Sequence, residues 1–166
     1  MIFVTVGTHE QQFNRLIEKI DELKADDILV EEVVIQTGFS TYKPKHCTCH
    51  QWIPYQDMKQ YVEQARIIIT HGGPSSFIMS LQVGKIPIVV PRKKKFGEHV
   101  NDHQVSFSKM VAEHQKNIIV VEDIKQLKEN IVNHRRISKE RQIETESNND
   151  RFNGKLEEIV REIFYD

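Results

Sequence analysis

The six residues from His71 to Ser76 read His-Gly-Gly-Pro-Ser-Ser and combine residue types that suit a phosphate group. Glycines let the backbone approach a ligand closely, and serine hydroxyls add hydrogen-bond donors. The apolar run Ile67–Thr70 precedes this motif and a helical pattern follows it, which places the motif at a strand-to-helix turn. A helix that begins there favours an anion through its free N–H groups and its dipole. The simpler alternative is that the glycines only turn the chain and that Ser75 only caps the helix.

Four histidines near the ends of apolar runs keep general acid–base chemistry open, because imidazole titrates close to neutral pH. They are His9, His71, His99 and His103. The sequence contains no G-x-S-x-G turn for a nucleophilic serine and no pair of carboxylates that stands out at the strand ends. It also lacks the dinucleotide pattern G-x-G-x-x-G and the P-loop pattern. These absences disfavour hydrolases, nicotinamide dehydrogenases and P-loop ATPases.

Two further clusters carry weaker signals. Arg92–Lys95 is a run of four cations that is usually a solvated loop, although after a strand it also suits a phosphate or an anionic lipid surface. His46–His50 places four metal-ligand side chains within five residues. That crowding does not suit a closed zinc site, which pairs distant ligand clusters, so we expect no metal here.

Short apolar runs alternate with amphipathic helical patterns and predict the elements that position these residues. The predicted strands are Ile2–Val6, Val33–Gln36, His50–Ile53, Ile67–Thr70, Ile86–Val90 and Asn117–Val121. Strands without strict alternation, each followed by a helix, predict an α/β fold with a doubly wound parallel sheet of Rossmann-like type. Ligands of such sheets bind beyond the carboxyl ends of the strands, where the glycine, hydroxyl and histidine residues gather.

The composition agrees with a single soluble domain. The chain has 166 residues, a net charge of −1 and 39% hydrophobic residues, which is enough for a core and does not favour binding of nucleic acid through overall charge. Two cysteines exclude a disulfide scaffold. No signal peptide or membrane-spanning run is predicted, so we expect a cytoplasmic protein. We predict a domain over residues 1–137, a polar linker over 138–150 and an amphipathic helix over 151–166, which packs back on the domain or presents its apolar stripe to a partner.

The order of six motifs resembles the C-terminal, donor-binding domain of family-28 glycosyltransferases, which have the two-domain GT-B architecture. The motifs are VTVGTHEQQF, IQTG, WIPYQDM, THGGPSSF, GKIPIVVPR and FGEHVNDHQ, between Ile2 and Leu127. The likeness is closer to stand-alone subunits of two-component transferases. These are bacterial capsule and exopolysaccharide β-1,4-glycosyltransferase subunits, and the eukaryotic subunit that adds the second N-acetylglucosamine to dolichol-linked glycan.

The resemblance implies roles for individual residues. Gly7 and Thr8 and the glycine-rich turn would meet the donor diphosphate, Trp52 and Ile53 the uracil, and His103 and Gln104 the sugar hydroxyls. The full set of expected nucleotide-sugar-binding residues is Gly7, Thr8, Gln36, Thr37, Gly38, Trp52, Ile53, His71, Gly72, Gly73, Pro74, Ser75, Ser76, Arg92, Glu98, His99, His103 and Gln104. The helix dipole, the two serines and Arg92 would stabilise the leaving UDP without a metal or other cofactor. His9 is a candidate base, unless the base lies on a partner.

One position departs from the family. Related enzymes carry a ribose-binding Glu on the helix after the glycine-rich turn, and the spacing places Met79 there. A GT-B transferase also needs two domains around its active-site cleft. The resemblance therefore implies a membrane-anchored partner that supplies the acceptor-binding half, recruits this chain to the inner face of the membrane and presents a lipid-linked saccharide.

The leading hypothesis is thus the donor-binding, catalytic subunit of an inverting transferase that uses a UDP-sugar in capsule or exopolysaccharide synthesis. Galactose is the first expectation for the sugar, followed by glucuronic acid and N-acetylglucosamine. The alternatives are an accessory subunit that activates a transferase without turning over the donor, a nucleotide-sugar epimerase, and a generic nucleotide-binding domain. Met79 gives the accessory hypothesis some support, whereas the chain length disfavours an epimerase.

Overall fold

A single sheet of six parallel strands forms the centre of the molecule. The computed structural model describes residues 1–141, and in this part of the chain the strands lie in the order β3-β2-β1-β4-β5-β6. Their bounds are β1 Ile2–Thr5, β2 Val33–Gln36, β3 Thr48–His50, β4 Ile67–His71, β5 Ile88–Val90 and β6 Ile119–Val120. Four of these strands, β1, β2, β4 and β5, are buried along their whole length, which explains why their sequences show no polar alternation.

Helices cover both faces of the sheet, so the predicted doubly wound α/β fold is confirmed. They are α1 Asn14–Ala25, α2 Tyr55–Gln64, α3 Pro74–Gln82, α4 His103–Gln115, α5 Leu127–Val132 and α6 His134–Glu140, with single 3₁₀ turns at Lys94–Phe96 and Ile124–Gln126. Alternate residues of β1 serve opposite layers, because successive side chains of a strand point to opposite faces. Val4 packs with α1 residues such as Leu16, whereas Phe3 packs with Val62 of α2.

Besides shifts of one or two residues at the ends of other strands, two elements differ from the sequence prediction. The third strand ends at His50 rather than beginning there, so Trp52 and Ile53 lie in the loop that follows it. Helix α6 runs to Glu140 and so covers the first residues of the predicted linker 138–150. The rest of that linker and the predicted helix 151–166 lie outside the described residues. Within residues 1–141, no helix is long and apolar enough to cross a bilayer.

The direction of winding reverses between β1 and β4. From β1 the chain adds β2 and β3 on one side, and from β4 it adds β5 and β6 on the other. A crevice opens at the carboxyl ends of the two strands where such a reversal occurs, and open α/β sheets bind their ligands there. The sequence places Gly7 just beyond β1 and His71 at the end of β4, so both residues stand at this crevice.

Candidate functional site

A cleft of about 680 Å³ occupies the crevice at the carboxyl ends of β1 and β4. It has a polar side, formed by the loops after these strands and the start of α3, and an apolar side between α2 and α3. The polar lining consists of Thr5, Gly7, Thr8, His9, Glu10, Gln36, His71, Ser75, Ser76 and Gln104. The apolar lining consists of Phe3, Met58, Val62, Ile68 and Met79. The volume suits a ligand the size of a nucleotide or a drug molecule.

His71 organises the polar side of this cleft. Its Nδ1 accepts a hydrogen bond of 3.0 Å from the backbone N–H of Gly73, so that nitrogen carries no proton. Burial lowers the pKa of His71 to about 4, and the neutral ring therefore carries its proton on Nε2. Nε2 lies 2.8 Å from Ser76 Oγ and donates to it. The Ser76 hydroxyl proton is then free to donate into the cleft.

Two glycines make room for the imidazole ring. A Cβ at Gly7 would overlap Nε2 of His71, and a Cβ at Gly73 would overlap Cε1 of the same ring. Gly7 also has a φ of +74°, which other residues rarely adopt, whereas Gly73 has an ordinary φ of −77°. At Gly73, contact with the histidine ring is therefore the reason for glycine.

The N–H groups of the glycines that were expected to hold a diphosphate are already bonded within the protein. Gly72 N–H donates to Gln104 Oε1 at 3.0 Å, Gly73 N–H donates to His71, and Gly7 N–H donates to Thr5 Oγ1 at 3.2 Å. This corrects the expectation that these N–H groups bind the ligand directly. Within residues 1–141 the N–H and hydroxyl of Ser75 have no hydrogen-bond partner. The anion-binding donors at the start of α3 are therefore Ser75 and the Ser76 hydroxyl, assisted by the helix dipole.

Arg92 does not reach the cleft, contrary to the expectation that it clamps a phosphate. Its side chain is fully buried. The guanidinium donates to the backbone carbonyls of Val6, Gln11, Gln12 and Glu98 at 2.8–3.1 Å. Burial lowers its pKa to about 10, which still leaves it charged at neutral pH. Arg92 thus ties the loop after β1 to the loop after β5.

Glu98 is likewise a structural residue rather than a ligand contact. Its carboxylate accepts two hydrogen bonds of 2.8 Å from Arg15 and one of 2.9 Å from the Lys93 backbone. The neighbouring His99 stacks on His9, with ring centroids 4.6 Å apart. Burial, followed by the proximity of His9, lowers the pKa of His99. His9 lines the cleft, whereas His99 does not.

His9 has a defined orientation. Its Nε2 lies 2.9 Å from Gln11 Oε1, and because an amide oxygen only accepts, Nε2 carries the proton. The unprotonated atom of the neutral ring is then Nδ1, which is the one that can act as a base.

The remaining expected residues are divided between the cleft and its surroundings. Gln36 and Gln104 line the cleft, and the Gln36 side chain accepts a bond of 2.9 Å from Thr5 Oγ1. The other residues lie outside the lining: Thr37, Gly38, Trp52, Ile53, Gly72, Gly73, Pro74 and His103. Of these, Ile53 belongs to the core beneath α2, and Trp52 is half-exposed with its ring edge-to-face on Phe39 at 5.1 Å.

Several lining residues were missed by sequence reasoning. Phe3 and Thr5 are two residues apart on β1, so their side chains point to the same face of the sheet. Counting back from Gly7 in steps of two would have identified both residues. Met58 and Val62 lie one helical turn apart on α2 and could not be linked to the site without knowing how α2 packs. Met79 lines the cleft on its apolar side, while its correspondence to the family's ribose-binding Glu stays a prediction.

The segment His46–His50 forms no visible ligand cluster. In the part of the chain that the structure describes, no three His, Cys, Asp or Glu side chains gather as a metal site requires. Cys47 and Cys49 are free thiols whose pKa values burial raises, so they are poorly ionised at neutral pH.

A comparison with protein families places this fold and cleft in a known group. The model of the glycosyltransferase family 28 C-terminal domain matches residues 1–162. The chain belongs to this family. The matched range contains every residue that lines the cleft.

Two curated relatives of this family 28 chain carry the name UDP-N-acetylglucosamine transferase subunit ALG13. The mouse protein is 31% identical over 118 residues and the human protein 29% identical over 119 residues, each covering 66% of this chain. The chain spans only about a tenth of the length of these relatives, because each match covers 10% of the relative.

A solved structure supports the fold of this family 28 domain. The calicheamicin glycosyltransferase CalG4 superimposes with a TM-score of 0.60 and 16% identity, over 83% of this chain and 36% of that chain. At this identity the likeness concerns the fold alone.

Proposed function

We propose that this chain is the donor-binding, catalytic subunit of a two-component inverting glycosyltransferase that moves a sugar from a UDP-sugar to a lipid-linked saccharide. The observation that carries the proposal is the pair of free donors, Ser75 and Ser76, at the start of α3 and at the mouth of the cleft. A diphosphate bound there would meet two hydroxyls, the Ser75 N–H and the positive end of the helix dipole.

These groups fit the chemistry of glycosyl transfer. Negative charge develops on the β-phosphate as the bond to the sugar breaks, and preorganised donors in a partly enclosed cleft stabilise that charge. His71 keeps the Ser76 hydroxyl in the donating role, because Ser76 Oγ accepts from Nε2 and must direct its own proton elsewhere. No residue in this scheme requires a metal or other cofactor.

The acceptor hydroxyl must also lose its proton. We assign the base to His9 Nδ1, since Gln11 holds the proton on the other nitrogen and His9 lines the cleft. In the alternative that the partner supplies the base, His9 would only shape the cleft.

The donor sugar remains a prediction. The motif resemblance to capsule and exopolysaccharide subunits favours galactose, whereas the names of the ALG13 relatives favour N-acetylglucosamine. Glucuronic acid is the third candidate. A membrane-anchored partner that contributes the acceptor half and brings the chain from the cytoplasm to the inner face of the membrane is part of the proposal, because GT-B transferases work between two domains.

A transfer assay tests the function. Membranes from cells that lack this chain are supplied with the purified chain and with labelled UDP-galactose, UDP-N-acetylglucosamine or UDP-glucuronate, and label in extracted lipid is measured. We expect one donor to be used, and we expect His9→Asn to lower the rate about 100-fold or more, as loss of a general base does. His114→Asn, on an exposed residue at the far end of α4, is the matched control and should retain full activity.

The results separate the proposal from the accessory alternative. Unchanged transfer by both His9→Asn and Ser76→Ala would mean that this chain only activates a transferase. A loss with Ser76→Ala alone would retain the donor site and move the base to the partner. Absence of transfer from all three donors would contradict the proposal.

A further inference from the structure

The segment Lys93–Val100 combines charge and apolar exposure in a way that donor binding does not use. It follows β5 and contains three consecutive lysines at 93–95. Phe96 is 45% exposed and Val100 is 65% exposed, although both are apolar. Neither residue nor any of the three lysines lines the cleft. Exposed apolar side chains flanked by lysines are typical of segments that lie in a membrane interface.

Within residues 1–141, no salt bridge involves Lys93, Lys94 or Lys95. Two nearby acidic side chains have cationic partners elsewhere, since Glu98 pairs with Arg15 and Glu122 pairs with Lys109. The Asp102 and Asp123 carboxylates accept hydrogen bonds from backbone N–H groups and form no ion pair with the three lysines. The lysines outnumber these two carboxylates, so the charge of this surface is positive on balance.

The segment is held in a fixed position rather than left loose. Residues Lys94–Phe96 form a 3₁₀ turn that ends at Gly97. Gln12 Nε2 donates to the Phe96 carbonyl at 2.9 Å, and Glu98 accepts from the Lys93 backbone. The Gln12 bond attaches the segment to the loop that carries His9, and the Glu98 bond fixes the segment internally. Whatever binds the lysines is thereby placed beside the cleft.

We propose that Lys93–Val100 docks directly on a bilayer that contains anionic lipid, with the lysines at the headgroups and Phe96 and Val100 in the interface. The inference goes beyond the proposed function, in which the partner alone provides attachment to the membrane. Charge complementarity explains the lysines, and the two apolar side chains explain why a bilayer fits better than nucleic acid. The Phe96 ring has Arg15 and Lys95 within 5 Å of its centroid, at 4.9 and 4.8 Å, so it is not an open platform for a base.

Sedimentation with lipid vesicles tests this inference on the full chain. The vesicles consist of phosphatidylcholine alone or of phosphatidylcholine with one third phosphatidylglycerol. We expect binding to the anionic vesicles only, with a strong decrease at high salt because the lysine contribution is screened. The triple variant Lys93→Gln/Lys94→Gln/Lys95→Gln should bind about 100-fold more weakly, since each lysine near an anionic surface contributes roughly fivefold.

The matched control neutralises three exposed lysines elsewhere, Lys43→Gln/Lys45→Gln/Lys128→Gln, and gives the same net charge. Lys43 and Lys45 precede β3 at the opposite edge of the sheet, so this control should bind as the parent does. A second variant, Phe96→Ser, should weaken binding about tenfold if the ring enters the interface.

Four outcomes would overturn the proposal. They are no binding of the parent chain to anionic vesicles, equal losses in the two triple variants, a Phe96→Ser variant that binds like the parent, and a triple variant that loses affinity for UDP or for RNA while it keeps its affinity for vesicles. UDP affinity measured on the same samples separates this proposal from the proposed function. A chain that binds vesicles but not UDP supports the docking surface and contradicts the donor site.

Discussion

His71 shows how one buried side chain sets the direction of a proton at the surface of the cleft. Its ring accepts from the Gly73 N–H and donates to Ser76, which is consistent only with the neutral tautomer protonated on Nε2. A protonated ring would present a second donor to the Gly73 N–H and would break this chain of hydrogen bonds. The histidine therefore acts through Ser76 as a positioning residue and not as an acid or base.

The stability of the protein should depend on pH through this histidine. Its pKa of about 4 in the folded state lies below the ordinary value of 6.5, so between these values the unfolded chain binds a proton that the folded chain does not. The free energy of unfolding should then decrease as the pH falls from about 6.5 towards 4, by up to about 3 kcal/mol from this group. Denaturant unfolding at several pH values measures it.

The variant His71→Asn provides the comparison, because its side-chain oxygen can still accept from Gly73 but does not titrate. The decrease should be smaller in this variant, and what remains includes the contribution of His134, whose pKa burial also lowers. Identical pH dependence of the variant and the parent would contradict the assignment of the neutral state.

Arg92→Lys tests the structural role of the buried guanidinium. The guanidinium of Arg92 donates to four carbonyl groups, and the single ammonium group of a lysine cannot reach all of them. Because a buried charge that loses hydrogen-bond partners is costly, we expect about 3 kcal/mol lower stability. Thermal unfolding measures the loss, and Arg135→Lys on the exposed side of α6 is the control. An unchanged melting temperature together with weaker UDP binding would instead return Arg92 to the ligand.

At the residue scale, the sequence predicted where functional groups gather but not where each one points. Arg92 follows β5 at the carboxyl edge of the sheet, as the sequence predicted, yet its side chain turns inward and donates to the carbonyls of Val6 and Gln11. The pairing of the Gly72 N–H with Gln104 joins residues 32 apart in sequence. No local pattern reports such a contact.

At the scale of elements, the junction between β4 and α3 depends on the fit of the His71 ring between two loops. Pro74 begins α3 at a position that needs no N–H, and Gly73 before it is extended. The strand-to-helix turn can be read from the sequence, because burial on both faces, proline and glycine are all local signals. The sequence prediction placed β3 too late in the chain. The strand itself is exposed and carries no apolar signal, whereas the apolar Ile53 packs in the core from the loop that follows.

A double-mutant cycle tests this fit. Gly73→Ala adds a Cβ where backbone geometry allows one but where the His71 ring stands, so we expect about 2 kcal/mol lower stability. In a His71→Ala background the same Cβ meets no ring, and the substitution should cost little. Denaturant unfolding of the parent and the three variants gives the coupling. An equal cost of Gly73→Ala in both backgrounds would show that the ring is not the cause.

At the scale of the whole molecule, the chain is a family 28 domain with a cleft at the carboxyl edge of its sheet. The match to the family covers residues 1–162, and the CalG4 chain is matched over only 36% of its length. The cleft has a polar side that suits a diphosphate and an apolar side that includes Met79. In the proposed transferase the partner would supply the acceptor side, so no residue of this chain predicts the acceptor.

The central claim is that Ser75 and Ser76 at the start of α3 bind the donor diphosphate. Titration calorimetry of the full chain with UDP tests it most directly, with Ser106→Ala on the exposed face of α4 as the control for Ser76→Ala. The account predicts saturable UDP binding by the parent and the control, and binding at least tenfold weaker by Ser76→Ala, since a hydrogen bond to a charged acceptor contributes about 1.5–3 kcal/mol. Equal affinities of all three proteins, or no binding at millimolar UDP, would contradict it.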